Sequence, residues 1–263
     1  MKNTYQLQIP KELEQYRSIL EESVKPYIKV VGTKAETTLF ESKFGGYPYL
    51  PIDQEHPKDS NGQPMMLLAQ LNFEEIPHVE YMPQKGMLQF FVSASDELYG
   101  ADFDHPTIQK DFKIIYHSTI IEDLNKVITD FSYLNSLELE DFIIPEAAKL
   151  QFELDYRFEK MFSEEIDWEE IVDEENNIEL GELYDDLCKD FGHKIGGYPF
   201  FTQTDPREWE EKYQQHDILL LQIDTDDSLN IMWGDSGVAN FFIKKEDLLN
   251  LDFSNVIYNW DCY

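Results

Sequence analysis

Two rhythms of apolar and polar positions run along this chain. Leu13, Tyr16, Ile19, Leu20 and Val24 fall at helical spacing between Pro10 and Pro26, which predicts an amphipathic helix over Lys11 to Val24. Tyr27 to Val31 and Thr37 to Phe44 are rich in β-branched and aromatic residues and read as strands. Leu150, Phe152, Leu154, Tyr156 and Phe158 alternate with Gln151, Glu153, Asp155, Arg157 and Glu159, the two-residue period of a half-buried strand. Helical patterns then follow. One starts at a capping Ser163 with Ile166 and Ile171. The other runs from Leu180 to Phe191 with Leu183, Tyr184 and Leu187 inward and Gly192 as its stop.

The strand pattern occurs twice. Lys43-Phe44-Gly45-Gly46-Tyr47-Pro48 answers Lys194-Ile195-Gly196-Gly197-Tyr198-Pro199, with Gly45 and Gly196 separated by 151 positions. At that same offset, Gly86-Met87-Leu88-Gln89-Phe90-Phe91-Val92 faces Gly237-Val238-Ala239-Asn240-Phe241-Phe242-Ile243. Between these blocks, Leu67-Leu68-Ala69-Gln70-Leu71-Asn72 resembles Leu219-Leu220-Leu221-Gln222-Ile223-Asp224, displaced by one residue. The Gly-Gly pairs suit positive φ, and the two rings of each Phe-Phe strand must lie on opposite faces. The expected fold class is α+β, predominantly antiparallel β. It combines an internal duplication of one β-rich unit, related by a pseudo-two-fold, with helices at the N-terminus and centre. The 263 residues form a single unit, with repeats over about 37–117 and 188–263 joined by an acidic α/β segment over 118–187.

Charge changes the picture most. The chain has 21 basic and 53 acidic residues, a net −32, and Glu122 to Asp190 alone holds 23 acidic and 5 basic residues. Such a surface repels nucleic acid and anionic membranes and favours a basic protein partner; a solvated, solubilising face is the plainer reading. The 14% aromatic content argues against disorder. Cys188 and Cys262 are too few for a disulfide scaffold. Met1 to Tyr5 begins no apolar run, so a soluble, cytoplasmic chain is expected.

Motifs for chemistry are incomplete. Gly234-Asp235-Ser236-Gly237 echoes a serine-protease nucleophile turn, but Val238 replaces the second glycine, and none of His56, His78, His105, His117, His193 and His216 lies in a companion motif. A hairpin turn between Trp233 and Val238 explains the same residues. Asp224-Thr225-Asp226-Asp227-Ser228 resembles a calcium loop, yet Leu229 stands where that loop needs Gly and Asp235 where it needs Glu. There is neither a helical His pair nor a Cys-x-x-Cys, so no metal and no cofactor is expected. The amides Gln70, Gln222, Gln89 and Asn240 sit at repeated places in apolar runs. They read either as structural bonds to loop backbone or as a polar pair lining a cleft between the repeats. Trp233, Asp235 and Tyr47 or Tyr198 would complete that cleft.

Gly45-Gly46-Tyr47-Pro48, Leu68-Ala69-Gln70 and Trp233 to Ile243 resemble the YwqG-like family, a bacterial domain of unknown function, over nearly the whole chain. Leu50-Pro51-Ile52-Asp53 departs from the family's acidic or tryptophan-containing segment at that point. The resemblance implies a fold, a bacterial origin and genes near polymorphic toxins, hence an immunity-like, partner-binding role. It carries no catalytic residues. Two functions follow. The first is a non-enzymatic acidic protein that binds a basic protein, with Glu165, Glu169 and Glu170 as candidate contacts. The second is a small-ligand binder or enzyme using Gln70, Gln222, Trp233, Asp235 and Asn240.

Overall fold

The protein is described by a computed structural model over residues 9–94, 97–137, 142–158, 191–208 and 210–263. Ten strands are found among these residues. The first half holds β1 (Lys25–Lys34), β2 (Lys43–Phe44), β3 (Met66–Asn72), β4 (Met87–Val92) and β5 (Phe112–His117). The second holds β6 (Ala148–Arg157), β7 (His193–Gly196), β8 (Ile218–Asp224), β9 (Val238–Ile243) and β10 (Ile257–Asp261). All join one sheet in the order β10-β9-β8-β7-β1-β6-β2-β3-β4-β5, and every pairing is antiparallel.

The α+β expectation is overturned. The molecule is mostly antiparallel β, and the helix expected over Lys11–Val24 is a 3₁₀ segment, Lys11–Tyr16, followed by the six-residue α1, Arg17–Glu22. Neither has a side-chain N-cap. A stretch this short nucleates a full helix poorly in water, so its few buried anchors set its shape. Leu13 and Leu20 are those anchors. Another short helix, α2, spans Lys245–Leu249. The central helices expected from Ser163 and Leu180, with Glu165, Glu169 and Glu170, fall in 159–190, outside the described residues. No helix among the described residues is long and apolar enough to cross a membrane.

The strand expected over Thr37–Phe44 contracts to Lys43–Phe44, whereas the alternating segment at Leu150 forms β6 with its inward positions more buried than its outward ones. β6 is no mere linker, because it lies between β1 and β2 at the middle of the sheet. Registers at the two ends correspond. Lys43 faces Gln70 and Lys149, and Lys194 faces Gln222 and Lys29. Pairing shifts by one residue between Leu67 and Ala69 in β3, and between Leu219 and Leu221 in β8. Such bulges bend a strand and raise its twist, which helps a long sheet curl.

Curling brings the ends together into a nearly closed barrel. Phe90 of β4 meets Phe241 of β9 edge-on at 4.8 Å, and Phe112 meets Tyr258 at 5.2 Å, all within one core. Phe91 instead packs with Met65 and Leu67, and Phe242 with Tyr213, Leu219 and Ile257, so each Phe-Phe pair splits across two faces. Each fully buried ring contributes roughly 1.5–3 kcal/mol, which is why these strands are apolar on both sides. The loop between β4 and β5 crosses the seam. Tyr258 N–H donates to the Pro106 carbonyl at 2.9 Å and Gln109 Nε2 to the Phe253 carbonyl at 2.6 Å.

Candidate functional site

Strand pairing sets Gln70 opposite Gln89 and Gln222 opposite Asn240. Gln70 Oε1 accepts the Tyr49 N–H at 2.8 Å, and its Nε2 donates to the Leu39 and Glu41 carbonyls at 2.8 and 2.9 Å. Gln222 does the same work at the other end, accepting from Phe200 N–H and donating to the Gly192 carbonyl, both at 2.8 Å. Gln89 Nε2 then donates to the Tyr49 carbonyl at 2.7 Å, and Asn240 Nδ2 to the Phe200 carbonyl at 2.8 Å. Each amide pair therefore clamps both backbone groups of the residue that follows a Gly-Gly-Tyr-Pro turn. The glycines of those turns take positive φ, between 61° and 73°.

Gln70, Gln222, Asn240 and Trp233 are all 0% exposed, and Asp235 is exposed in the turn from Gly234 to Ser236. The fold brings Gln222 and Asn240 together and leaves Gln70 in the other half of the sheet. Tyr47 stacks on Phe131 at 5.0 Å and is half-exposed, while Tyr198 is covered and donates its hydroxyl to the Ser23 carbonyl at 2.6 Å. Lys43 is wholly buried beneath the first turn. It donates to the carbonyls of Thr38 and Tyr47 at 2.5 and 2.8 Å, and burial pulls its ammonium down to about 8 against the pull of Glu41 and Glu75.

His117, His193 and Asp226 have local partners. His117 Nε2 meets Gln89 Oε1 at 2.9 Å, and burial lowers its pKa to about 4. His193 Nδ1 accepts the Asp224 N–H at 3.0 Å, which leaves Nε2 to face Asp226 at 3.4 Å. That imidazole, and then Ser228, hold the Asp226 carboxyl well below the usual carboxylate range. Asp226 Oδ1 also takes the Ser228 hydroxyl and N–H, so the calcium-like stretch is a closed turn after β8. Among the described residues, no three His, Cys, Asp or Glu side chains are grouped to hold a metal.

An open cavity of about 410 Å³ lies at the barrel seam, in the loop from Leu98 to Asp111. Besides the Tyr258 N–H bond to Pro106, two side chains of β10 hold that loop. The Trp260 indole donates to the Leu98 carbonyl at 2.9 Å, and the Tyr258 hydroxyl donates to the Tyr99 carbonyl at 3.1 Å. Tyr99 of that loop, Trp233 and Trp260 lie 5.8 to 6.1 Å from one another, and Phe103, which lines the cavity, lies 6.3 Å from Trp260. Gly100 takes φ +80°, and any Cβ there would stand 2.0 Å from the Asp111 carbonyl, so glycine alone lets the loop close on itself. Sequence reasoning missed this loop. Its signal was legible as apolar Leu98, Phe103 and Ile108 interleaved with Asp102, Asp104 and Asp111, outside any regular period.

The family described as a domain of unknown function, DUF1963, matches residues 42–262. No curated protein matches the chain.

Proposed function

The chain belongs to the DUF1963 family, a domain of unknown function, and from that premise we propose that it is a non-enzymatic acidic binding protein whose partner is a basic protein. The observation that carries this is the excess of 53 acidic over 21 basic residues. A net charge of that size raises the association rate of an oppositely charged protein and excludes like-charged ones. The site geometry agrees, because Gln70 and Gln222 are bonded to loop backbone and His56, His117 and His193 each face a local partner. The YwqG-like resemblance makes an immunity-like role, the neutralising of a basic toxin or nuclease, the specific form of the proposal. The sequence blocks repeated at an offset of 151 residues support reading the two similar halves as copies of one unit.

The test is capture from the native cell extract at 50 mM and 500 mM salt, followed by association kinetics with the captured protein. A basic protein is expected in 1:1 complex, with an association rate that falls as salt shortens the screening length from about 14 Å to about 4 Å. Replacing Glu165, Glu169 and Glu170 by Gln together should slow association several-fold and leave the fold intact. A partner whose binding ignores both salt and these changes, or no basic partner at all, removes the reading.

A further inference from the structure

We infer that the seam cavity seats one arginine or lysine side chain of a basic protein partner, together with an apolar residue beside it. This deepens the basic-partner reading and rests on it. The cavity, at about 410 Å³, sits near the low end of the roughly 300–1,000 Å³ of small-ligand pockets, which suits one long side chain and not a whole domain. Its rim is apolar and open: Leu98, Phe103 and Ile108 are 45, 51 and 53% exposed. Side chains of this kind, grouped at one place on a highly charged protein, mark an interaction surface.

Charge selects the occupant. Among the described residues, Asp102, Asp104 and Asp111 line the cavity against one cation, Lys110, whose Nζ lies 3.8 Å from Asp111. Asp102 uses one oxygen on the N–H groups of Asp104 and His105, and Asp111 uses one on Ser60. The Asp104 carboxylate takes no hydrogen bond from another described residue, which leaves it for a guest. An aliphatic stem can lie along Leu98 and Ile108 while its charged end reaches that carboxylate, and the Phe103 face adds a cation–π contact. A carboxylate-bearing guest would meet three like charges in a chain of net −32.

The probe is a blocked seven-residue peptide carrying one Arg next to one Leu, alongside a copy with Glu for Arg. Binding to the full-length protein is followed through the indole N–H signal of Trp260, whose bond to Leu98 lies at the cavity wall. Saturable binding of the Arg peptide only is expected. Phe103→Ala should weaken it about tenfold and Asp104→Asn about threefold, while Lys110→Gln should tighten it. These side chains are exposed, so unchanged thermal melts will show that the variants fold. Absence of a Trp260 response, equal binding of the Glu copy, or no effect of Phe103→Ala overturns the assignment. If a captured basic partner loses affinity with salt but ignores Phe103→Ala and Asp104→Asn, the cavity assignment fails and the acidic-binder reading stands. If the peptide binds as expected while no basic protein is captured, the wider reading fails alone.

Discussion

Gln70 serves three backbone groups, the Tyr49 N–H and the Leu39 and Glu41 carbonyls, at a site with no access to water. Gln70→Leu preserves bulk and strips all three of their partner. Each buried orphan costs about 1–3 kcal/mol, and since the groups relax together the expected loss is about 2–4 kcal/mol. Urea denaturation measures it, and a loss under 1 kcal/mol would mean the loop is held by something else. His117 makes a pH prediction. Its folded pKa of about 4 lies below the ~6.5 of an exposed histidine, so between those values the unfolded chain holds a proton the folded chain refuses. Stability from this site is whole above pH 6.5 and declines as pH falls toward 4. His117→Gln keeps a partner for Gln89 and removes the titration. Denaturation midpoints from pH 7.5 to 4 should fall less steeply in the variant, by about 1–2 kcal/mol after discounting for solvent at the partly exposed ring. Parallel slopes for both proteins would refute the assignment.

At the scale of elements, β1 and β6 decide the architecture. β1 pairs with β6 along ten residues, Lys25 to Lys34, and with β7 through Tyr27 to Val30. β6 in turn pairs with β2. The first strand of the chain is therefore separated from the second by a strand that follows more than a hundred residues later. A fragment of residues 1–140 holds β1 to β5 but lacks β6, and the complement 141–263 lacks β1. Each would expose the unpaired edges of β1 and β2 or of β6 and β7, and bury little on the uncovered faces. Neither fragment alone should melt cooperatively by circular dichroism, and an equimolar mixture should recover one transition. A cooperative melt from either fragment by itself would show that the halves fold independently.

For the whole molecule, charge acts in two opposite directions. A net −32 repels itself in the compact state, so screening favours the fold. Raising sodium chloride from 20 to 300 mM should lift the melting temperature by about 2–4 °C, the shift expected for about 1 kcal/mol in a chain of this size. The same salt should weaken capture of a basic partner. A melting temperature that falls with salt would mean that ion pairs such as Lys149–Glu41 and Lys34–Glu146 outweigh the repulsion.

Much of the fold was legible one segment at a time. β1, β4, β6 and β9 lie where their apolar patterns put them. The Gly-Gly turns have the positive φ that only glycine adopts freely. The amides Gln70 and Gln222 were singled out because polar groups in apolar strands need partners. Charge and composition are properties of the chain alone and needed no structure. What the pattern could not carry was who pairs with whom. Periodicity reports which face of a segment is buried, and says nothing of which distant strand supplies its hydrogen bonds. Hence β6 read as part of a linker, and the amides read either as bonds to loop backbone or as a cleft. Lys11–Val24 read as a full helix because helical spacing does not distinguish α from 3₁₀ in a segment anchored by Leu13 and Leu20. The loop from Leu98 to Asp111, which lines the seam cavity, meets β10 because the sheet curls, with bulges in β3 and β8 and with Phe90 against Phe241. Local sequence decided the faces and turns, and tertiary structure decided the partners, because hydrogen bonds between strands and contacts across a core join residues far apart in the chain.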